Sequence, residues 1–442
     1  LVSLSRYLPQ NYKVAVLDRV LALADHGARA KLLAALVPSM SGDMLAQTLA
    51  AARELDEEDR YGSSPRSDLI GALAPNLSPE LLPKALDAVE TIKNDDSRAA
   101  ALCGLAPHLS PDLLARSFTL ACELSEEQKH GRSPRVEAMR ALAPYLSPGL
   151  MQRALRAIRA ITNERDRSKA IFATLPYLPS HLLPEATIAA REISDDLTRV
   201  EVLSALAPHL SPDQGQEVLD EALQTAARLP MTSDFGQSCC ARAILNIAPN
   251  LPTSLGERAM VMARSLSRLK EHDRILRIDV FSELAHCFPP DLRDEVLGES
   301  LDEVAGIESD AMRIEVFCKL APRLSPEMKV KSLSEGLQTA MRLPEIDYAL
   351  GGVGRWSPRA QALCDLAPYL SKELLPQALI LALELQDENA LATALIGLGP
   401  YLPVSLMDAA LTTARHMEQG YDRVRTLSSF LQYLPENSRT TV

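Results

Sequence analysis

The chain has 442 residues, a formal net charge of −12 and 47% hydrophobic residues, with only 4% aromatic. That acidic balance disfavours nucleic acid as a default partner, because phosphate binding needs concentrated Lys and Arg. No run of about twenty apolar residues is present, so no membrane-spanning helix is expected. Abundant Leu and Ala with few aromatics suit close helix packing better than sheets.

From one end to the other the sequence repeats Leu-Ala-Pro-x-Leu-Ser-Pro or a variant of it. The second Leu of the phrase marks Leu8, Met40, Leu77, Leu109, Leu146, Leu178, Leu210, Leu251, Phe288, Leu324, Leu370, Leu402 and Leu434. These thirteen anchors enclose twelve units. Leu77 and Leu109, Leu146 and Leu178, and Leu402 and Leu434 each stand 32 residues apart, which defines the basic unit. Longer units carry an insertion.

A helix start follows the anchor, as Ser78-Pro79, Ser110-Pro111, Ser147-Pro148, Ser211-Pro212 or Ser325-Pro326. Serine accepts from the free N–H groups of a first turn, and proline there gives up no hydrogen bond. Apolar residues at helical spacing, such as Leu82, Leu86 and Val89, predict a first helix of about four turns. Pro83, Pro184 and Pro376 share one place in it, where they should kink the helix or delay its start. A second helix opens with Ser-Pro-Arg at Ser64, Ser133 and Ser357, or with an acidic cap such as Asp96 or Asp196. Its stripe (Leu102 and Leu105, Leu203 and Leu206) lies on one face, and Pro107 or its equivalent ends it. Such hairpins bury their apolar faces only by stacking. The expected fold is therefore all-α: an α-solenoid, or αα-superhelix, of about twelve tandem hairpins, with residues 1–442 one continuous array.

An arginine stands eleven residues before the anchor in ten units: Arg29, Arg66, Arg98, Arg135, Arg167, Arg199, Arg277, Arg313, Arg359 and Arg423. A cation in a helix's first turn opposes the macrodipole. Its repetition predicts a structural ladder, with each Arg matched by a carboxylate or carbonyl of the adjoining hairpin. Asp95, Glu164, Asp196, Asp310 and Glu388, three residues before the Arg position, are candidates. An acidic turn followed by Arg and Ala-Leu-x-x-Leu resembles the HEAT repeat, here at tetratricopeptide-repeat length but without that family's Trp, Gly and Tyr positions. Tandem Leu-Ala-Pro-His-Leu-Ser-Pro strings are also similar to the C-terminal repeat arrays of bacterial STAND-type signalling and defence proteins. That resemblance implies a ligand-sensing region. Leu1 is not a methionine and Leu4 to Pro9 reads as the tail of a preceding unit, so an upstream domain of the same polypeptide is expected.

Two departures from the repeat are candidate partner-binding features. The residue before the anchor is often aromatic or polar, and Tyr145, Tyr177, Arg323, Tyr369, Tyr401 and Tyr433 all fall in this column. They either pack over the turn and bond a carbonyl, or form a ridge for a protein or peptide partner. Insertions at Asp56 to Ser64, Glu126 to Ser133, Pro230 to Ser238 and Pro344 to Ser357 fall between the two helices. The last holds Arg355 and the single tryptophan, Trp356, which either anchors a partner or folds back onto the helices.

Catalytic and metal chemistry finds no foothold. Glu283 and His286 share a helix face but lack the second pair and further carboxylates of a di-iron site. Cys239, Cys240, His286 and Cys287 have no known metal-ligand spacing. The seven cysteines read as small buried hydrophobes in a reducing, cytoplasmic setting, and His26 and His416 as surface or turn residues. The expectation is a non-catalytic protein-interaction scaffold without cofactor, catalytic residue, metal site or membrane. The alternative is a nucleic-acid-binding solenoid whose repeated Arg residues line a groove. It stands or falls on whether Arg98, Arg135 and Arg199 face solvent or are buried against carboxylates.

Overall fold

The computed structural model describes residues 9–57, 64–126, 133–231, 233–346 and 356–433. Its helices fall into two compact parts, Leu1–Arg228 and Leu229–Val442. The first holds α1 (Gln10–Leu21), α2 (His26–Leu36), α3 (Gly42–Ala52), α4 (Pro65–Leu73), α5 (Leu82–Glu90), α6 (Asp95–Leu105) and α7 (Pro111–Glu123). It continues through α8 (Pro134–Leu142), α9 (Pro148–Arg159), α10 (Glu164–Thr174), α11 (Leu183–Arg191), α12 (Asp196–Leu206) and α13 (Pro212–Ala226). The second holds α14 (Asp234–Ile247), α15 (Thr253–Arg264), α16 (Glu271–Leu284), α17 (Pro290–Val304), α18 (Asp310–Leu320) and α19 (Pro326–Arg342). It ends with α20 (Pro358–Leu366), α21 (Leu375–Leu383), α22 (Glu388–Leu398), α23 (Val404–His416) and α24 (Gly420–Phe430). No strand ladder forms among the described residues; the fold is an all-α solenoid of helical hairpins.

The recurrent Pro makes the turn between hairpins. It sits second in a tight 3-10 turn, as in Ala74–Asn76, Ala143–Tyr145 and Ala367–Tyr369, where its missing N–H costs no helical bond. The anchor's N–H donates back to the first residue of that turn, Leu77 to Ala74 at 3.3 Å for instance, and its backbone is extended. Pro83, Pro184 and Pro376 lie in the first turn of helices that begin late, at Leu82, Leu183 and Leu375.

Ser110 and Ser147 cap α7 and α9 through their hydroxyls. Ser211 and Ser325 stand at the cap position without a side-chain cap bond, and Ser78 lies before the delayed start of α5. In the short hairpins the cap is one or two residues earlier than the sequence suggests: Asp195 rather than Asp196, and Asn94 rather than Asp96. The segment from Pro230 to Ser238 is not a loop throughout, because α14 already begins at Asp234.

Within each part the second helices of successive hairpins pack tightly along one layer. A Cβ built on Gly104 of α6 would stand 2.6 Å from the Gly71 Cα of α4, so glycine is required for this approach. Side chains spaced along the same layer bridge neighbours. Ser67 donates to the Ser97 carbonyl (2.6 Å), and the thiols of Cys318 and Cys364 donate to the carbonyls of Asp365 and Thr393 (both 3.3 Å). The core between the helix layers is Leu and Ala at their helical spacing, including Leu102, Leu105, Leu203, Leu206, Leu363 and Leu366, all fully buried.

Candidate functional site

The arginine column is spent inside the fold. In nine of the ten hairpins the guanidinium donates to the carbonyl just past the end of the first helix of its own hairpin. Arg29 reaches Leu23, Arg66 reaches Leu55, Arg135 reaches Leu124, Arg167 reaches Ile161 and Arg199 reaches Ile193. In the second part Arg277 reaches Leu266, Arg313 reaches Ile307, Arg359 reaches Leu343 and Arg423 reaches Met417. A first helix ends in carbonyls without helical partners and a negative dipole end, both of which a cation satisfies. The recurrent partner is therefore a carbonyl of the same hairpin, and Arg167 and Arg277 also reach the adjoining one, at the Glu192 carbonyl and the Glu303 carboxylate.

Arg98 departs from the pattern: it bonds Asp95 at 2.8 Å, and its Nε is buried with no acceptor among the described residues. Arg277 is the other extreme. It is 1% exposed, donates to Glu303 (3.1 Å) and to the carbonyls of Ala263, Arg264 and Leu266, and lies over the Phe281 ring at 4.8 Å. Arg98, Arg135 and Arg199 are only 18%, 20% and 15% exposed and are paired with Asp95, Glu126 and Asp196. That removes the support for a groove lined by free arginines.

Asp95, Asp196 and Asp310 pair with Arg98, Arg199 and Arg313 of their own helices. Asp95, Glu164 and Glu388 accept the backbone N–H groups of the turn inside the next hairpin and so fasten one hairpin to its neighbour. Glu164 accepts from Ser194 (2.8 Å) and Asp195 (2.9 Å), and Asp95 accepts from Ser125 (2.9 Å). Glu388 accepts from Glu418 and Gln419 (both 2.6 Å).

Where a hairpin carries an insertion, the carboxylate stands before the loop: Glu57 takes Lys93 and Asn94, Glu126 takes Thr162, and Glu345 takes Gln386 and Asp387. Gln237 does the same with an amide oxygen, on Ser267. His26 occupies this position in α2: its Nδ1 meets the Asp56 N–H at 3.2 Å and the Asp56 carboxylate at 2.9 Å. Sequence spacing gave no hint of that carboxylate partner. The donated bonds hold the Glu164 carboxyl below its ordinary range. At Glu126 burial acts upward, and the bonds from Thr162 and Asn163 with the charge of Arg135 outweigh it.

The tyrosine column lies on the surface. Tyr145 and Tyr177 end the 3-10 turns after α8 and α10, and Tyr369 and Tyr401 those after α20 and α22. Tyr145, Tyr177, Tyr401 and Tyr433 are between 38% and 48% exposed, while Tyr369 is half-buried beneath Lys329. The hydroxyls of Tyr145, Tyr177, Tyr369 and Tyr401 make no hydrogen bond to another described residue, whereas that of Tyr433 accepts from Gln432 at 2.6 Å. Arg323 of the same column is engaged with Ser282 (2.7 Å) and Glu283 (2.5 Å). Trp356 is 44% exposed at the rim of a groove on the second part, and Arg355 lies outside the described residues.

No group of three or more His, Cys, Asp or Glu side chains among the described residues is arranged to hold a metal ion. All seven cysteines are free thiols, and burial pushes Cys103, Cys240, Cys287 and Cys364 up to about 11 and Cys318 up to about 12. No helix among the described residues is long and apolar enough to cross a membrane.

No protein-family model matches the sequence, and no curated protein matches it. Solved structures do. Kap95p, from a structure concerned with its binding to RanGDP, aligns over 99% of this chain and 67% of its own, with TM-score 0.50 and 11% identity. The likeness is one of fold. Kap121p bound to Ste12p aligns over 96% of this chain at TM-score 0.45 and 12% identity, and the chain spans about half the length of that protein. A full-length AP-3 complex model aligns over 98% of this chain and 78% of its own, at TM-score 0.47 and 13% identity. The chain is a HEAT-like helical repeat array.

Proposed function

We propose that residues 1–442 form a non-catalytic scaffold that binds a protein or peptide partner along the exposed turns between hairpins. The observation that carries this is the tyrosine column. Tyr145 and Tyr177 in the first part, and Tyr369 and Tyr401 in the second, present ring and hydroxyl without an internal hydrogen bond. An apolar ring with an unused polar tip is the side chain enriched at binding hot spots. Nucleic acid is the poorer reading, because the repeated arginines are held by carbonyls and carboxylates.

The finer reading is a cytoplasmic, ligand-sensing region of a bacterial signalling or defence protein. Its support is the tandem Leu-Ala-Pro-His-Leu-Ser-Pro strings and the free thiols. The test is partner capture with the intact chain and with Tyr145→Ala/Tyr177→Ala and Tyr369→Ala/Tyr401→Ala. Each lost tyrosine pair should weaken a captured partner by about tenfold or more. Partners retained unchanged by both double variants would remove the tyrosines from the binding surface.

A further inference from the structure

On the second part, α18 and α20 flank a groove of about 570 Å³, in the size range of about 300–1,000 Å³ that holds ligands of several side chains. Its floor is apolar, from Ile314, Leu343 and Ala362, and its aromatic borders are Trp356 and Tyr369. The charged residues of its lining are acidic, and Lys329 stands over the Tyr369 ring at its border. Glu315 and Asp365 both line it and both are exposed, and no Lys or Arg is among the described lining residues.

Asp365 accepts a hydrogen bond from Gln361 at 2.8 Å, and Glu315 has no partner among the described residues. Both carboxylates line the groove together with the Cys318 thiol, whose proton affinity they raise beyond the larger effect of its burial. Asp365 lies in the last turn of α20, where the helix dipole adds further negative potential. Both thiols at the groove, Cys318 and Cys364, already donate to backbone carbonyls and offer nothing to a ligand.

We propose that this groove binds an arginine-bearing peptide segment of a partner protein. An apolar floor takes the aliphatic stem, the acidic lining residues Glu315 and Asp365 take the guanidinium, and an exposed indole takes its flat face. Lysine has neither the fork nor the plane, so arginine is the better fit. A volume larger than one side chain selects a peptide over a free cation. This deepens the scaffold reading and rests on it.

Trp356 is the only tryptophan in the chain, so its fluorescence reports on this groove alone. The experiment titrates the full chain with a capped Ala-Arg-Leu-Arg-Ala peptide, with Lys and Glu versions alongside. The expected result is a saturable change with the Arg peptide, a weaker one with Lys and none with Glu. Glu315→Gln/Asp365→Asn should raise the dissociation constant about tenfold or more. A control pair of exposed carboxylates in the other part, Asp112→Asn/Asp213→Asn, should leave it unchanged.

No saturable change, an equal response to the Glu peptide, or equal weakening by the control pair would each overturn the assignment. Both groove substitutions are at exposed positions, and an unchanged circular-dichroism melt separates lost binding from lost folding. If the Arg peptide fails while a partner lost in the tyrosine variants is still captured, the groove assignment falls and the scaffold stands. If the wild-type chain captures nothing, the scaffold reading itself falls, whatever the titration shows.

Discussion

Replacing Arg277 and Arg98 separately with Met tests whether the arginine column acts through its hydrogen bonds or merely through its charge. Met keeps a linear side chain of similar reach and removes every donor. At Arg277 the change leaves the end of α15 with the carbonyls of Ala263, Arg264 and Leu266 stripped of their shared donor in a fully buried setting. Breaking a buried ion pair costs about 3–5 kcal/mol. Glu303 keeps Arg268 (2.7 Å) and Arg274 (3.1 Å), so the lower end applies. About 3 kcal/mol is roughly two orders of magnitude in a local opening equilibrium.

At Arg98 the loss is one part-exposed pair with Asp95, worth about 0.3–0.5 kcal/mol, and the change also removes an Nε that is buried without an acceptor. Native-state hydrogen exchange reads both sites, because long repeat arrays open locally rather than all at once. Amides of α15 and α16 should lose about a hundredfold protection in Arg277→Met, and those of α6 should change by less than about threefold in Arg98→Met. Equal loss at the two sites would refute the argument that carbonyl bonding distinguishes them.

Three further outcomes follow from the geometry. Gly104→Ala should destabilise by about 1–3 kcal/mol in urea unfolding despite alanine's better helix propensity, because its Cβ would meet the Gly71 backbone at 2.6 Å. Gly71→Ala, whose Cβ would stand 3.8 Å from Gly104, should be neutral or stabilising. The Glu164 and Glu126 carboxyls lie below their ordinary range when folded. The stability they add is present above the unfolded value of about 4.3 and is lost as pH falls through the folded one. Glu164→Gln should therefore flatten the acid limb of a melting-temperature profile taken between about pH 3 and 7. Finally, Cys103, Cys240, Cys287, Cys318 and Cys364 should resist a thiol reagent at mildly alkaline pH in the folded chain and react on unfolding, as a spectrophotometric titration would read.

The hairpins were readable in the sequence because their signals are local: the proline of each 3-10 turn, the Ser-Pro starts and the Leu spacing act within a few residues. The arginine column was equally visible, as were its carboxylate partners Asp95, Asp196 and Asp310, but its carbonyl acceptor was not. A carbonyl at the end of a helix belongs to no residue type, so only the folded geometry shows Arg135 reaching Leu124. The fastening carboxylates were hidden for a related reason. Their receivers are backbone N–H groups, and Gln237 and His26 fill the role with different chemistry. The groove beside Trp356 depends on α18 and α20 coming together across a long insertion, which no periodicity records.

One consequence concerns how such an array diversifies. Glu57, Glu126 and Glu345 each stand two residues beyond the last buried apolar residue of a first helix: Leu55, Leu124 and Leu343. Arg66, Arg135 and Arg359 return to those same residues from the far side of the loop. Among the described residues, these fastening groups thus stand on either side of segments 58–63, 127–132 and 347–355. Segments set between such fastening groups make a series of separately addressable display positions. A foreign segment inserted there should alter what the protein recognises while leaving its melting temperature where it was.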